Sequence, residues 1–200
     1  MDSEKKSMLK DALILFAITL AAGLLLGFVH DVTKEPIAEQ KAKAKAEACR
    51  NVFADADSFE ALAAEDGPTA YFMAGQDSNV DIDEVMRALD SSGQLLGYVI
   101  TVTDHEGYGG DIQFSMGVTL DGTLNGISLL NIKETAGLGM KAKEPAFYGQ
   151  YEGKQAEKFV VSKDGGDGEP IDALSGATIT SRAVTDAVNA ALGYYQSVFQ

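Results

Sequence analysis

The sequence predicts an α+β protein: a twisted antiparallel sheet with packed helices, preceded by one N-terminal transmembrane helix and a helical stalk. Three observations carry that expectation. Ala12 to Val29 is an apolar run without a charge. Four short runs rich in β-branched or aromatic residues, separated by turn signals, fill the middle of the chain. From Ser181 to Phe199, Val184, Val188, Ala191, Leu192 and Tyr195 recur at helical spacing.

The apolar run, ALILFAITLAAGLLLGFV, has Thr19 as its only hydroxyl and approaches the ~20 residues needed to cross a bilayer. A core helix would show a polar face, and this segment has none. No A-x-A cleavage site follows, because the next residues are His30, Asp31 and Val32. Leu20 to Gly23 resembles a lipoprotein box, but no cysteine follows it, which excludes lipid attachment there. Lys5, Lys6 and Lys10 precede the span and only Lys34 follows closely. The positive-inside bias therefore places the N-terminus in the cytoplasm and the rest of the chain outside a bacterial inner or plasma membrane. Residues 1–11 read as a cytoplasmic N-terminus and 12–29 as an uncut single-pass anchor.

Pro36 suits the first turn of a helix. The following IAEQKAKAKAEACRNVF is rich in good helix formers, with Glu39–Lys43 and Lys43–Glu47 at i,i+4. Residues 30–65 are thus expected to form a helical stalk and the entry to a domain spanning 66–200. Residues 54–75 are less periodic, with a turn marked at Glu65-Asp-Gly-Pro68. The strands expected next are Val85–Leu89, Leu95–Thr103, Ile112–Leu120 and Leu124–Ile132. Turns at Ser91-Ser-Gly93 and Asp121-Gly122, the latter a strong hairpin signal, make them an antiparallel meander. A short helix at Glu144–Tyr151, a strand at Lys158–Ser162 and the helix from Ser181 complete the expectation.

Composition excludes several function classes. Two hundred residues with 46% hydrophobic content allow one globular domain with an accessory segment. A net charge of -14 leaves nothing to neutralise a nucleic-acid backbone. Cys49 is the single cysteine, so neither an intramolecular disulfide nor a thiolate metal cluster can form. His30 and His105 are the only histidines, and no serine motif supports a hydrolase built on His105. Asp164-Gly-Gly-Asp-Gly-Glu169 lacks the alternating acids of a calcium loop and reads as a solvated acidic loop.

Three loops remain. Gly107-Tyr108-Gly109-Gly110 lies between the second and third runs, and Glu134-Thr135-Ala136-Gly137-Leu138-Gly139 follows the fourth. The third is Asp172-Ala-Leu-Ser-Gly-Ala-Thr-Ile-Thr-Ser181 before the last helix. Glycines let backbone approach a ligand closely. Free N–H groups at the start of a helix, flanked by the hydroxyls of Ser175, Thr178, Thr180 and Ser181, suit an anion. A plain helix cap is the simpler use of Thr180 or Ser181, but a cap needs one hydroxyl and not the S-G-A-T before it.

Asp172 to Thr178 matches D-x-x-[S/T]-G-A-T, the flavinylation motif of the FMN-binding domain family, which the chain resembles. The loops G-Y-G-G and E-T-A-G-L-G agree, although Ala136 stands where members of that family commonly have proline. From anchor to last helix the layout is similar to the G subunit of Rnf complexes; the C subunit of the sodium-pumping NADH:quinone reductase is a larger relative. The resemblance implies FMN linked through its phosphate to the hydroxyl of Thr178 by a flavin transferase. It implies further cofactor contacts from Asp172, Ser175, Gly176, Ala177, Thr180, Tyr108, Gly109, Gly110, Glu134, Thr135, Gly137, Leu138 and Gly139, and no catalytic residue or metal. The implied role is an electron-carrier subunit of a membrane complex that moves electrons between ferredoxin and NAD and translocates Na⁺ or H⁺. The competing reading is an anchored extracytoplasmic scaffold domain whose glycine loops bind a partner protein.

Overall fold

The computed structural model describes residues 2–62 and 79–199. The turn expected at Glu65–Pro68 and the domain boundary expected at 65/66 lie outside these residues. Contacts divide the chain into two units, residues 1–44 and 45–200.

Helix α1 runs unbroken over Asp2–Val52. In the first unit its apolar stretch is exposed along its whole length, with Leu13, Phe16, Leu24 and Phe28 all more than half accessible, as lipid contact requires. The one hydroxyl in the stretch is satisfied within the helix, since Thr19 Oγ1 donates to the carbonyls of Leu15 and Phe16 at 3.0 Å. Pro36 does not open a new helix as expected; it lies inside α1. Proline removes one backbone hydrogen bond, here that to the Val32 carbonyl, and the run of good helix formers after it, AEQKAKAKAEA, carries the helix on.

The second unit is built on a five-stranded antiparallel sheet in sequential order, β1 (Ser58–Ala61), β2 (Val80–Leu89), β3 (Leu95–Asp104), β4 (Ile112–Thr119) and β5 (Leu124–Asn131). The expected meander is therefore present, with β2 starting five residues before Val85. After β5 come a 3₁₀ turn at Gly139–Lys143, helix α2 (Pro145–Tyr148) and a second 3₁₀ turn at Gly149–Tyr151. A small parallel pair, β6 (Phe159–Val161) and β7 (Glu169–Ile171), precedes helix α3 (Thr178–Phe199). Strands β1 and β7 were not anticipated: SFEA and EPI are too short to show alternation, and pairing alone makes them strands. The helix expected from Ser181 begins three residues earlier, at Thr178.

Each face of the sheet is covered by one helix. Ile100, Val102, Phe114, Met116 and Val118 form a single core with Val184, Val188 and Leu192 of α3. On the other face the end of α1 supplies Cys49, Val52 and Phe53, which pack on Ala88 and Val99. That approach requires Gly117, because a Cβ there would lie 2.9 Å from the Val52 Cβ and 3.1 Å from Phe53 Cε2. Lys45 on α1 forms an ion pair with Glu84 on β2. Burial pushes the Cys49 thiol above its ordinary pKa and its sulfur lies 3.9 Å from the Met86 sulfur, so it behaves as a small apolar side chain.

Helix α3 is also held by polar contacts along its length. Thr185 Oγ1 and the Tyr151 hydroxyl lie 2.8 Å apart. Asn189 brackets β6, accepting from the Phe159 N–H at 2.8 Å and donating to its carbonyl at 2.9 Å. The Tyr195 hydroxyl donates to the carbonyls of Thr119 and Leu120, each at 3.0 Å. Phe53 is 4% exposed, so Phe53→Ala should destabilise the protein by about 3 kcal/mol, measured by denaturant unfolding of the full chain in detergent. A loss below about 1 kcal/mol would show that the α1 end contributes little to the fold.

Candidate functional site

Antiparallel register brings the three glycine loops to one end of the sheet. Asp104 at the end of β3 pairs with Ile112 at the start of β4, and Gln113 pairs with Asn131 at the end of β5. The loops 105–111 and 132–138 therefore emerge side by side. The loop before α3 joins them, and all three line one cleft of about 550 Å³, within the ~300–1,000 Å³ of small-molecule sites.

Glu134 ties the loops together. It is 8% exposed, and its Oε1 accepts the Gly109 N–H at 3.3 Å. Gly109 sits so close to the Lys133 carbonyl that no Cβ fits there. Gly139 backs onto the other side of the same carboxylate: a Cβ on it would meet Thr180 Oγ1 at 2.6 Å and Glu134 Oε2 at 2.8 Å. These glycines are thus selected for close approach between loops and helix.

The third loop turns tightly. The Ala177 N–H donates to the Leu174 carbonyl at 3.0 Å, with Gly176 at φ +75°, a conformation that strongly favours glycine. Ser181 Oγ accepts the Leu174 N–H and donates to the Ala177 carbonyl, both at 2.9 Å. This corrects the expectation that Ser181 offers its hydroxyl to an anion, since it is buried and spends both roles on the loop. The Ser181 N–H donates to the Ala177 carbonyl at 3.1 Å, so Ala177 is the N-cap residue of α3 and has no side-chain oxygen to cap with. Helix geometry then leaves the N–H groups of Thr178, Ile179 and Thr180 without helical carbonyl partners, facing the positive end of the helix dipole.

The cleft brings together Tyr108, Glu134, Thr135, Leu138, Gly139, Gly176, Ala177, Thr178 and Thr180 of the residues singled out from the sequence. Gly109, Gly110, Gly137 and Ser175 belong to the same loops but are exposed and do not line the cleft. Asp172 is set back from the cleft: its carboxylate accepts from Ser162 Oγ at 3.1 Å, and its backbone exchanges hydrogen bonds with the Gln150 side chain. Ile179, expected only as part of the contact loop Ser175 to Thr180 and not by itself, also lines the cleft and is 48% exposed. Its position between two motif threonines, at the first turn of α3, is the signal that would have found it.

The lining has two characters. Tyr108, Leu138 and Ile179 are 71%, 42% and 48% exposed and offer apolar surface from three separate segments. Thr178, half-buried, offers a hydroxyl beside the free N–H groups of the helix. Apolar walls next to an anion cradle fit a flat ring carrying a phosphate, the chemistry of FMN.

Comparison with known proteins agrees in both halves of the chain. The RnfG N-terminal region family matches residues 1–52, and the FMN-binding domain family matches residues 107–193. The G subunit of the Na⁺-translocating ferredoxin:NAD⁺ oxidoreductase complex of Acetobacterium woodii is 33% identical over 198 residues, covering 96% of this chain and 94% of that protein. The chain belongs to the G-subunit family of ion-translocating oxidoreductase complexes. The corresponding protein of the proton-translocating ferredoxin:NAD⁺ oxidoreductase complex of Clostridium ljungdahlii is 30% identical over 92% of each chain. That of the ion-translocating oxidoreductase complex of Methanosarcina acetivorans is 30% identical over 96% of each. Among solved structures, Shewanella oneidensis NqrC aligns over 58% of each chain with 28% identity and a TM-score of 0.47. As a member of the G-subunit family the chain contains an FMN-binding domain, and the cleft lies within the part matched to it.

Other polar groups outside the cleft have different roles. His105 is held between Asp111 at 2.9 Å and Asp81 at 3.1 Å, and these hydrogen bonds raise its pKa to about 9. Clamped by two carboxylates, it is a cation in a surface network and not a general base. The acids at Asp164 and Glu169 pair with Arg182 and Lys154.

Asp104 is the exception, being 1% exposed. Its Oδ1 accepts the Glu106 N–H at 2.7 Å, while Oδ2 has no hydrogen-bond partner among the described residues. Burial, reinforced by Glu106 and Asp186, raises its pKa to about 6.

The site generates two predictions. Gly139→Ala should cut flavin incorporation several-fold in protein made in cells that load the flavin, measured as flavin absorbance per purified chain, because Glu134 and Thr180 must move to admit the methyl. Full incorporation would show that the loop has slack. A carboxyl whose folded pKa is raised loses stability as pH rises from its ordinary value of about 4 through about 6. Asp104→Asn should therefore flatten the fall in Tm between about pH 4 and pH 6.5, and an unchanged pH profile would show that Asp104 is charged throughout.

Proposed function

We propose that this chain is the flavin-bearing electron carrier of an Rnf-type membrane complex, moving electrons between ferredoxin and NAD with coupled Na⁺ or H⁺ translocation. The further proposal is that its FMN is bound covalently, by a phosphoester to Thr178. The observation that carries this is the place of Thr178: it is the first residue of α3, at the rim of the cleft, within S-G-A-T. The relatives described above, named as G subunits of ferredoxin:NAD⁺ oxidoreductase complexes, support the partners.

Each part of the chain then has a physical task. FMN, when bound, supplies the electron chemistry. The N–H groups of Thr178, Ile179 and Thr180 hold the phosphate charge at the positive end of α3, and the phosphoester prevents loss of the cofactor to an extracytoplasmic medium. Tyr108, Leu138 and Ile179 supply apolar surface to the ring, and Glu134 keeps the loops in place through Gly109. Asp172 positions the motif by fixing its first residue to Gln150 and Ser162. Attachment would form a bond between Thr178 Oγ1 and the phosphorus of a flavin-nucleotide donor held by the transferase, break that phosphorus's bond to the donor's remaining group, and pass the hydroxyl proton away with that leaving group. A flavin transferase is the partner that makes this bond during maturation.

Residues 12–29 form the anchor and the helix beyond it the stalk; the flavin domain expected over residues 66–200 also takes in β1 and the end of α1, within the unit that starts at Lys45. The lysines before the span keep the N-terminus cytoplasmic and put the flavin domain on the outer side. No charge lies inside the span, so an ion path through it is not expected.

The full chain coexpressed with a flavin transferase should gain the mass of one FMN less one water, on the peptide containing Thr178. Thr178→Ala should carry no flavin after denaturation. A denatured Thr178→Ala band that still fluoresces would overturn the attachment site.

A further inference from the structure

We propose that the outer edge of β5 is a docking slot for an extended segment of a partner protein in the complex, which joins the sheet as a further strand. This rests on the reading of the chain as one component of a complex. Strand β5 ends the sheet order, and residues Asn125 to Asn131 form backbone hydrogen bonds only toward β4 among the described residues. Between the register breaks at Asn125 and Leu130, alternate residues of this antiparallel ladder point their N–H and C=O groups outward, unpaired.

Sheet edges are normally guarded by charge, proline, bulges, shortness or cover. The opposite edge, β1, is four residues long and carries Glu60. Strand β5 is twice as long, and LNGISLLN contains neither charge nor proline, in a chain with 23% charged residues. Its pairing with β4 breaks register at Asn125 and Leu130, which leaves Gly126–Leu129 as the regular stretch of edge. An edge left in this state is a template for another strand.

The edge also lies in a formed slot. A cleft of about 460 Å³ follows five consecutive residues, Asn125 to Leu129, about 17 Å of strand. Asn51 and Val52 wall it on one side of the sheet, and Lys143, Tyr148 and Glu152 wall it on the other. At its closed end the pairing has already begun: Leu124 donates to the Lys154 carbonyl at 2.8 Å and accepts from the Gly153 N–H at 2.7 Å. That antiparallel bridge lasts one residue, because the chain before Gly153 winds into the turn at Gly149–Tyr151. A partner strand would continue the ladder where this chain leaves it.

The walls define the occupant. Asn51 Nδ2 donates to Ser128 Oγ at 3.2 Å, so one face of the slot is polar and uncharged. Leu129 and Tyr148 make the other face apolar at its base, with Lys143 and Glu152 offering one charge of each sign. The matching ligand is an extended peptide of about five residues with alternating polar and apolar side chains and little net charge, bound chiefly through its main chain.

Amide hydrogen exchange on the full chain, free in detergent and within the complex purified from the same membranes, tests this. Peptides covering Asn125–Asn131 should exchange at least about tenfold more slowly in the complex, while β1 is unchanged. Equal exchange in the two samples would overturn the slot, whether the edge is open in both or already covered in the free chain by a second copy. Asn125→Lys places a guarding charge in the slot and should reduce copurification with the complex at unchanged flavin content and Tm. Normal copurification of that variant would also count against the proposal. If the unmodified chain carries flavin but never copurifies with other components, the complex reading falls and the slot with it. Copurification with unchanged β5 exchange removes the slot alone.

Discussion

The packing of α3 across the sheet is the constraint on which the site depends. The helix buries its apolar face on β3 and β4, and its polar anchors at Thr185, Asn189 and Tyr195 stop it from sliding along that face. Its first residue, Thr178, is therefore delivered to one place at one end of the sheet. A shift of one helical turn would move that hydroxyl about 5.4 Å, and the cleft would no longer combine an anion cradle with apolar walls.

The loops at that end are held by a single buried carboxylate. Glu134 accepts from Gly109 on one side and lies against Gly139 on the other, and Thr180 of α3 closes on the same glycine, so three segments meet around one side chain. The glycines are the corollary: two of them sit where a Cβ would collide with backbone or with this carboxylate. Buried carboxylates are costly unless hydrogen-bonded. Asp104 shows the same cost less fully met, with one oxygen bonded, the other unpaired and a pKa raised to about 6. Rigidity suits an electron carrier, because a cofactor held in fixed surroundings needs little rearrangement when its charge changes.

The two edges of the sheet are treated differently. One is short and charged, and the other is long, neutral and lined by a slot. In a strongly acidic protein, an eight-residue edge without a charge is a local departure from composition, and such departures mark places where something other than solubility has been selected.

Much of the architecture was legible in the sequence because its signals are local. A charge-free run of eighteen residues, β-branched runs broken by Asp-Gly, and a 3.6-residue period declare themselves without reference to the rest of the chain. The motif from Asp172 to Thr178 was equally local, and it named Thr178 before any geometry was known. Tertiary structure decided what depends on neighbours. Pro36 stays within α1 because the helix continues on both sides of it. Strands β1 and β7 exist only through their partners. The hydroxyl of Ser181 serves the loop because Leu174 lies beside it, and Ile179 reaches the cleft because α3 starts at Thr178 and not three residues later. Sequence by itself determined which segments form and which residue types are available to hold a phosphorylated ring. Folding alone decided which of them meet, because convergence of loops separated by tens of residues is set by strand register and helix packing, and neither is written in any short stretch of chain.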